Sequence, residues 1–293
     1  MIASTEVVLT PTESKRLLSK AVLDRDEVKK ALDQGVLIVH PSSTTIFMLD
    51  ELGLKLQEKQ IWICGHISPK GLCISRKVIL RGKSLSPEEH KDRAATYPFE
   101  LVIRKGELIP FEECALAGVL EEVTSDDVFV KGVNAIDPEG KVGVLLAARS
   151  TGGSVGKIIR KRKKVKFKTI IPVGLEKRIP VPLGRAIKAA MKATKAQGIP
   201  CSMWRVHGDI ITEIEAFKQL CDVEAIPISA GGVCGAEGAI VWGLQGEEKN
   251  VEKAYNLCEQ IHGHELPYTL DVFDCEECVH RSCNLVGKKW PPQ

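Results

Sequence analysis

The residues best suited to chemistry lie in a few short stretches. Pro41-Ser42-Ser43-Thr44-Thr45 places four hydroxyls between two apolar runs, Val36–Val39 and Ile46–Leu49. At a strand-to-helix turn, such hydroxyls join free backbone N–H groups and the positive end of the helix dipole, a setting for a phosphate or carboxylate. An ordinary helix cap needs the same residues and no ligand. The stretch Lys131-Gly132-Val133-Asn134-Ala135-Ile136-Asp137-Pro138-Glu139-Gly140 follows another apolar run and ends in a good turn sequence. Gly152-Gly153 precedes a helical stretch and would let the backbone approach a ligand closely. Glu176-Lys177 follows the run Thr169 to Val173. Ser42, Ser43, Thr44, Thr45, Asn134, Gly152 and Gly153 are therefore the expected ligand-binding residues. Asp137 is the expected acid–base group and Lys177 the anion partner, with Glu139 a further catalytic candidate.

Two further groupings stand nearer the C-terminus. Ser229 to Gly238 holds four glycines and Glu237, which could hydrogen-bond a ligand hydroxyl; a long glycine-rich hairpin is the plainer alternative. Cys275, Cys278, His280 and Cys283 form a Cys-x2-Cys knuckle with a third thiol and an imidazole. Soft thiolates favour zinc or an iron–sulfur cluster. A redox disulfide competes with that reading, and a fourth ligand could come from Cys64 or Cys73. Seven of the ten cysteines are scattered singly and read as small buried hydrophobes. The run Lys157 to Lys168 is strongly basic, as suits the last turn of a helix, where cations complement the dipole. Only Phe167 interrupts it as an aromatic, which disfavours a nucleic-acid partner.

These residues need elements to hold them. Leu17, Leu18, Val22, Val28, Ala31 and Leu32 recur at helical spacing, predicting one helix over 12–34 capped by Thr12 and ended by Gly35. Val36–Val39 is a short continuous apolar run, as in a strand buried on both faces. Further strands are predicted at 60–64, 127–130, 142–146 and 169–173, with a hairpin around Lys105-Gly106 and a polar surface excursion at 84–97. Strands alternating with helices imply an α/β fold, a mainly parallel sheet with helices on both faces. Beyond Pro180 and Pro182 a helix over 185–197 is followed by a βαββαβ order, strands at 201–206, 223–229, 239–244 and 266–273, which is the α+β ferredoxin-like arrangement. The expected division is 1–183, 184–274 and a Cys-rich tail, 275–293.

Ser42-Ser43-Thr44-Thr45, then Gly132-Val133-Asn134-Ala135-Ile136-Asp137, then Gly152-Gly153, then Lys177, in this order and these strand contexts, resemble the NagB/RpiA/CoA transferase-like superfamily. It holds ribose-5-phosphate isomerase, glucosamine-6-phosphate deaminase, DeoR-type sugar sensors and CoA transferases. The resemblance covers roughly residues 13–180 and implies phosphate binding at the hydroxyl turn. Two departures bear on the reaction. Pro41 stands where the isomerase loop has glycine. No acidic residue occurs from Ser154 to Val173, where the isomerases carry their proton-transfer glutamate. The CoA transferases need a nucleophilic glutamate, for which Glu139 and Glu176 are the nearby candidates.

Composition narrows the field. The chain has 293 residues, 44% hydrophobic and 27% charged, with a formal net charge of +3, which is ordinary for a globular protein and too low for a general polyanion trap. No apolar run approaches the roughly 18 residues that cross a bilayer, and no signal peptide is read at the N-terminus, so a cytoplasmic location without a membrane partner is expected. Three readings follow. The first is an isomerase- or transferase-type protein binding a small anionic metabolite, either a sugar phosphate or a CoA-type ligand, with self-association into a homo-oligomer left open. The second is a non-catalytic metabolite sensor or interaction protein. The third is a zinc or iron–sulfur redox or scaffold protein centred on the C-terminal cysteines.

Overall fold

The computed structural model describes residues 1–54, 65–74, 100–109, 116–265, 275–276, 278 and 283–289. At its centre is a six-stranded sheet. Val36–Val39 (β2), Val128–Val130 (β7), Lys168–Pro172 (β10) and Asp209–Ile211 (β12) run parallel. Leu101–Arg104 (β5) and Glu107–Leu108 (β6) extend the sheet antiparallel on the β2 side, giving the order β12-β10-β7-β2-β5-β6. Side chains of a strand alternate between faces. Leu37, Val39, Leu101, Val128 and Val130 accordingly enter one core with Pro11–Asp24 (α1), Asp26–Gln34 (α2) and Ile46–Glu51 (α3). Val36, Ile38, Val102 and Phe129 enter another with Leu116–Glu122 (α4) and Gly153–Val165 (α5). The central strands β2 and β7 are therefore covered on both faces, as their unbroken apolar runs require.

Two three-stranded antiparallel sheets flank this layer. Ala135–Ile136 (β8), Val142–Leu146 (β9) and Ser202–Val206 (β11) form one, with Leu183–Lys192 (α6) packed on β11. Ile2–Leu9 (β1), Glu224–Gly231 (β13) and Ala239–Glu247 (β14) form the other, with β14 central. Glu213–Cys221 (α7) and Glu248–Ile261 (α8) cover its inner face. Trp242 of β14 is fully buried there and meets the Phe217 ring edge-on at 6.1 Å. A hairpin, Gly65–Ser68 (β3) with Gly71–Ile74 (β4), stands apart from these sheets. Among the described residues no helix is long and apolar enough to cross a membrane.

Several expectations are corrected. The helix over 12–34 is two helices, because Arg25 is extended and Asp26 and Glu27 start a new first turn. Thr10, not Thr12, caps α1: it pairs with Glu13 in a capping box, and Pro11 takes the first helical position, where its missing N–H costs nothing. The N-terminal strand β1 was not expected, yet it pairs with β14 over its whole length. The hairpin at Lys105-Gly106 is present. The βαββαβ pairing differs from the expected one. The strand at 202–206 pairs with β9, and β12 joins the parallel sheet, so pairing crosses the boundary drawn at residue 184. The α7–β13–β14–α8 succession remains, with β1 as the neighbour of β14. The strands expected at 60–64 and 266–273 and the excursion at 84–97 lie outside the described residues.

Trp242→Ala should lower the unfolding free energy by about 3–5 kcal/mol in a urea titration, because the indole fills a core between sheet and helices that cannot close around the void. A loss below about 1 kcal/mol would show that this sheet is not part of the cooperative core.

Candidate functional site

The carboxyl ends of open parallel strands are where α/β sheets gather ligand-binding residues. In the turn after β2, Ser42 Oγ accepts from the N–H groups of Thr44 (3.3 Å) and Thr45 (3.1 Å), and Thr45 Oγ1 donates to His40 O at 2.7 Å. These bonds close the turn itself, and Thr45, which precedes the first helical residue, makes no side-chain cap bond to α3. Ser43 is half-buried, whereas Thr44 is buried with its Oγ1 lacking a hydrogen-bond partner among the described residues. The second motif comes up against this turn: a Cβ built on Gly132 would sit 2.8 Å from Ser42 Oγ, so a side chain there would displace the Ser42 hydroxyl.

Sequence reasoning missed the charges beside this turn. His40, Glu100 and Lys131 are all buried, at the ends of β2 and β7 and just before β5. His40 Nδ1 lies 3.1 Å from Glu100 Oε1, and Lys131 Nζ donates to Gly132 O at 2.8 Å. Burial, then the nearby Lys131, hold the imidazole down at about 4, against the pull of Glu100, so it is neutral at physiological pH.

Of the remaining expected residues, several serve the scaffold. Asn134 Oδ1 accepts from Leu145 N–H, bracing β9. Asp137 is buried, and its oxygens accept from the N–H groups of Glu139, Lys141 and Leu183. Burial acts to raise the carboxyl, but those three bonds and Lys141 outweigh it and hold it below the usual range. Asp137 therefore ties the 137–141 turn to the start of α6. Glu139 is exposed and pairs with Lys141. Gly152 caps α5 at a φ of 72°, and a Cβ there would meet the Trp204 ring at 2.9 Å. Its absent side chain makes room for an indole, and Gly153 starts the helix behind it.

The fourth motif opens on a denser cluster at the ends of β10 and β12. Lys177 Nζ lies 3.7 Å from Glu176 Oε1, and both side chains are largely covered. Glu176 Oε2 is buried without a hydrogen-bond partner among the described residues. Lys15, on the first turns of α1, faces this pair. Its burial, and then the repulsion of Lys177, pull the ammonium below its usual value, with Glu176 acting against them. Glu213 at the start of α7 is 1% exposed. It accepts from Ser14 Oγ and from the Leu175 N–H at 3.0 Å. Burial pushes this carboxyl up to about 7, with Glu176 adding to the rise and the bond from Ser14 opposing it. The glycine-rich loop between β13 and β14 reaches the same place: a Cβ on Gly238 would lie 3.8 Å from Glu176 Cβ and 3.2 Å from the Pro11 ring. Glu237 itself is exposed and accepts from Gly235 N–H.

Chemically, this cluster pairs two covered ammonium groups with a carboxyl that exchanges its proton near neutrality. The sequence marks Thr212 to Glu215 as a helix start, and Thr212 and Glu215 do form its capping box. Nothing in local spacing separates the buried Glu213 from its capping neighbours. In the C-terminal tail, Cys275 is buried and Cys278 and Cys283 are half-buried. His280 and Cys64 lie outside the described residues. Among the described residues no three His, Cys, Asp or Glu side chains stand close enough to share a metal ion.

A raised carboxyl has a defined effect on stability. At pH below 4.5 Glu213 is protonated folded and unfolded. Between 4.5 and about 7 the unfolded chain releases this proton first, so the contribution of Glu213 to stability falls as pH rises through that window. At about 1.4 kcal/mol per pKa unit the loss is roughly 3 kcal/mol. His40 acts in the opposite sense between about 4 and 6.5, so the informative quantity is the difference between the wild type and Glu213→Gln. That difference should shift by roughly 3 kcal/mol from pH 4.5 to pH 8 in urea titrations. A difference independent of pH would show that Glu213 ionises normally. No protein-family model, curated protein or solved structure matches this chain.

Proposed function

We propose that the protein binds a small anionic metabolite, of the sugar-phosphate or CoA type, at the carboxyl edge of its parallel sheet and transfers a proton on it through Glu213. The observation that carries this reading is a buried carboxyl titrating near 7 beside the half-buried Lys15 and Lys177. Two ammonium groups that repel each other in a covered setting are relieved by an anion placed between them. A carboxyl poised near neutral pH is matched to taking a proton and returning it. In an isomerisation, Glu213 as carboxylate would take the proton from the hydroxyl-bearing carbon beside a carbonyl, the electron pair moving to the carbonyl oxygen as an enediolate. The hydroxyl proton would pass to that oxygen, and Glu213 would return its proton to the former carbonyl carbon as the new carbonyl forms. Glu176 is the residue that CoA-transfer chemistry would use as nucleophile. Asp137, held by three backbone N–H groups, keeps a loop in place in this reading.

The finer fold assignment belongs to the same proposal. The adjacency of Ser42 and Gly132, two of the ordered motifs, supports a NagB/RpiA/CoA transferase-like core, and the α7–β13–β14–α8 succession supports a ferredoxin-like second part. A thermal-shift screen of phosphosugars and acyl-CoAs tests the site. A ligand near 100-fold its Kd stabilises by about 2.7 kcal/mol, a rise of roughly 5–10 °C. Lys15→Ala and Lys177→Ala should abolish the shift, while Glu213→Gln should keep it and abolish turnover. Binding without turnover in the wild type would favour a sensor; no shift with any ligand would refute the site.

One observation favours a second reading in the tail. Gly198 bridges Leu72 of β4 and receives Asn284 Oδ1 on its N–H at 2.9 Å, which brings the chain neighbours Cys73 and Cys283 to the same backbone segment. A zinc or iron–sulfur site drawing on Cys73 with Cys275, Cys278, His280 and Cys283 would use that junction. Anaerobically purified protein should then carry about one equivalent of metal per site by elemental analysis, lost in Cys278→Ser with a fall in Tm. Metal-free protein of unchanged stability would dismiss it.

A further inference from the structure

The basic run Lys157 to Lys168 is not accounted for by the candidate site, and the fold places it elsewhere. The end of α5 leads through Phe167 into the first residue of β10, Lys168, so the run descends along α5 and ends at the amino edge of the parallel sheet, opposite the Glu213 cluster. A helix dipole acts within the last turn. It accounts for Arg162, Lys163 and Lys164, which occupy that turn, but not for Lys157, Arg160 and Lys161. The sequence has no Asp or Glu between Gly140 and Leu175. Among the described residues, none of the cations from Lys157 to Lys166 has a carboxylate partner; Lys168 reaches Asp209 at 4.0 Å, on the margin of the face. Arg162 Nε is buried without a hydrogen-bond partner.

The tertiary structure enlarges the face. Arg205, at the end of β11, and His207, before β12, are both exposed. After burial, Arg205, Arg162 and Lys163 are what hold the His207 imidazole below its usual value, so these four groups stand together. Unpaired cations at steps of about 6 Å along the helix, as at Lys157, Lys161 and Lys164, suit a repeating anion better than a single one. Binders of single strands add aromatic platforms for the bases. Here Phe167 is buried and Trp204 packs on Gly152, so the face offers charge without stacking.

We propose that this face, centred on Arg160, Lys161, Lys163 and Lys164 with Arg205 and His207, docks the phosphate backbone of a double-stranded nucleic acid without reading its sequence. This inference is independent of the metabolite site. It assigns the partner by charge density, since a duplex carries about one negative charge per 1.7 Å of its axis.

Fluorescence anisotropy with labelled duplex DNA and duplex RNA of unrelated sequences tests it on the full chain. Micromolar binding at about 50 mM salt is expected, weakening about 100-fold by 200 mM, as four or so phosphate contacts would give. The variant Arg160→Gln/Lys161→Gln/Lys163→Gln/Lys164→Gln should lose most of the affinity and reduce the salt slope by about 3 to 4. Its circular dichroism should stay that of the wild type, with Tm lowered by no more than a few degrees for the lost helix-end charges and the Arg160 bond to Thr151 O. The control Lys29→Gln/Lys30→Gln/Lys249→Gln/Lys253→Gln, with the same change in charge, should bind as the wild type does. Absence of binding at about 50 mM salt would overturn the proposal. So would equal losses in both variants, a preference for single strands, or polyglutamate binding as tightly as duplex.

Discussion

Parallel strands covered on both faces leave little room for polar groups along their length. The central strands β2 and β7 are apolar throughout and β10 and β12 end so, and polar residues follow where the strands stop: His40 after β2, Lys131 after β7, Glu176 beyond β10 and Glu213 beyond β12. Helices close over that edge, so these groups are buried by position rather than by their own chemistry. Burial penalises the charged forms of His40 and Glu213. A low-titrating imidazole and a high-titrating carboxyl within one edge are the result.

The fold answers that burial in two ways. Some carboxylates are fully satisfied by backbone donors. Asp137 takes three N–H groups at one end of the sheet, and Asp127 takes those of Val36 and Thr124 near the other. Such groups gain by being charged and hold loops in place. Glu176 and Glu213 are satisfied less completely, by a lysine, a serine hydroxyl and one N–H group. At Glu213 the incomplete compensation leaves burial to push the carboxyl up to about 7. Two glycines serve the packing of this scaffold: Gly132 admits the Ser42 hydroxyl and Gly152 the Trp204 ring.

The candidate site was legible in part. The hydroxyl turn and the glycine beside it could be read from their order and from the apolar runs around them, and they do meet. Lys177 was also marked, and it sits in the denser cluster. Ser14, Lys15 and Glu213 were not, since each belongs to an ordinary helix start. Ser14 and Glu213 are 199 residues apart and touch only because α1 packs against α7. The pairing of β1 with β14 was hidden for the same reason: an alternating strand does not say which edge it will join.

Local pattern by itself determined the α/β class, the apolar strands, the positions of most helices and the turn chemistry at their ends. Those properties depend on spacing within a few residues, through the periods of strand and helix and the needs of a cap. Tertiary structure alone decided which strands neighbour one another, which charged side chains are buried, and that the cations of α5 join Arg205 and His207 on one face. Burial and electrostatic coupling depend on groups brought together from distant parts of the chain. For that reason the bonding of Asp137 to three backbone N–H groups, and the burial of Glu213 against Ser14, could not be read from local spacing, where Glu213 is nothing more than the first turn of a helix.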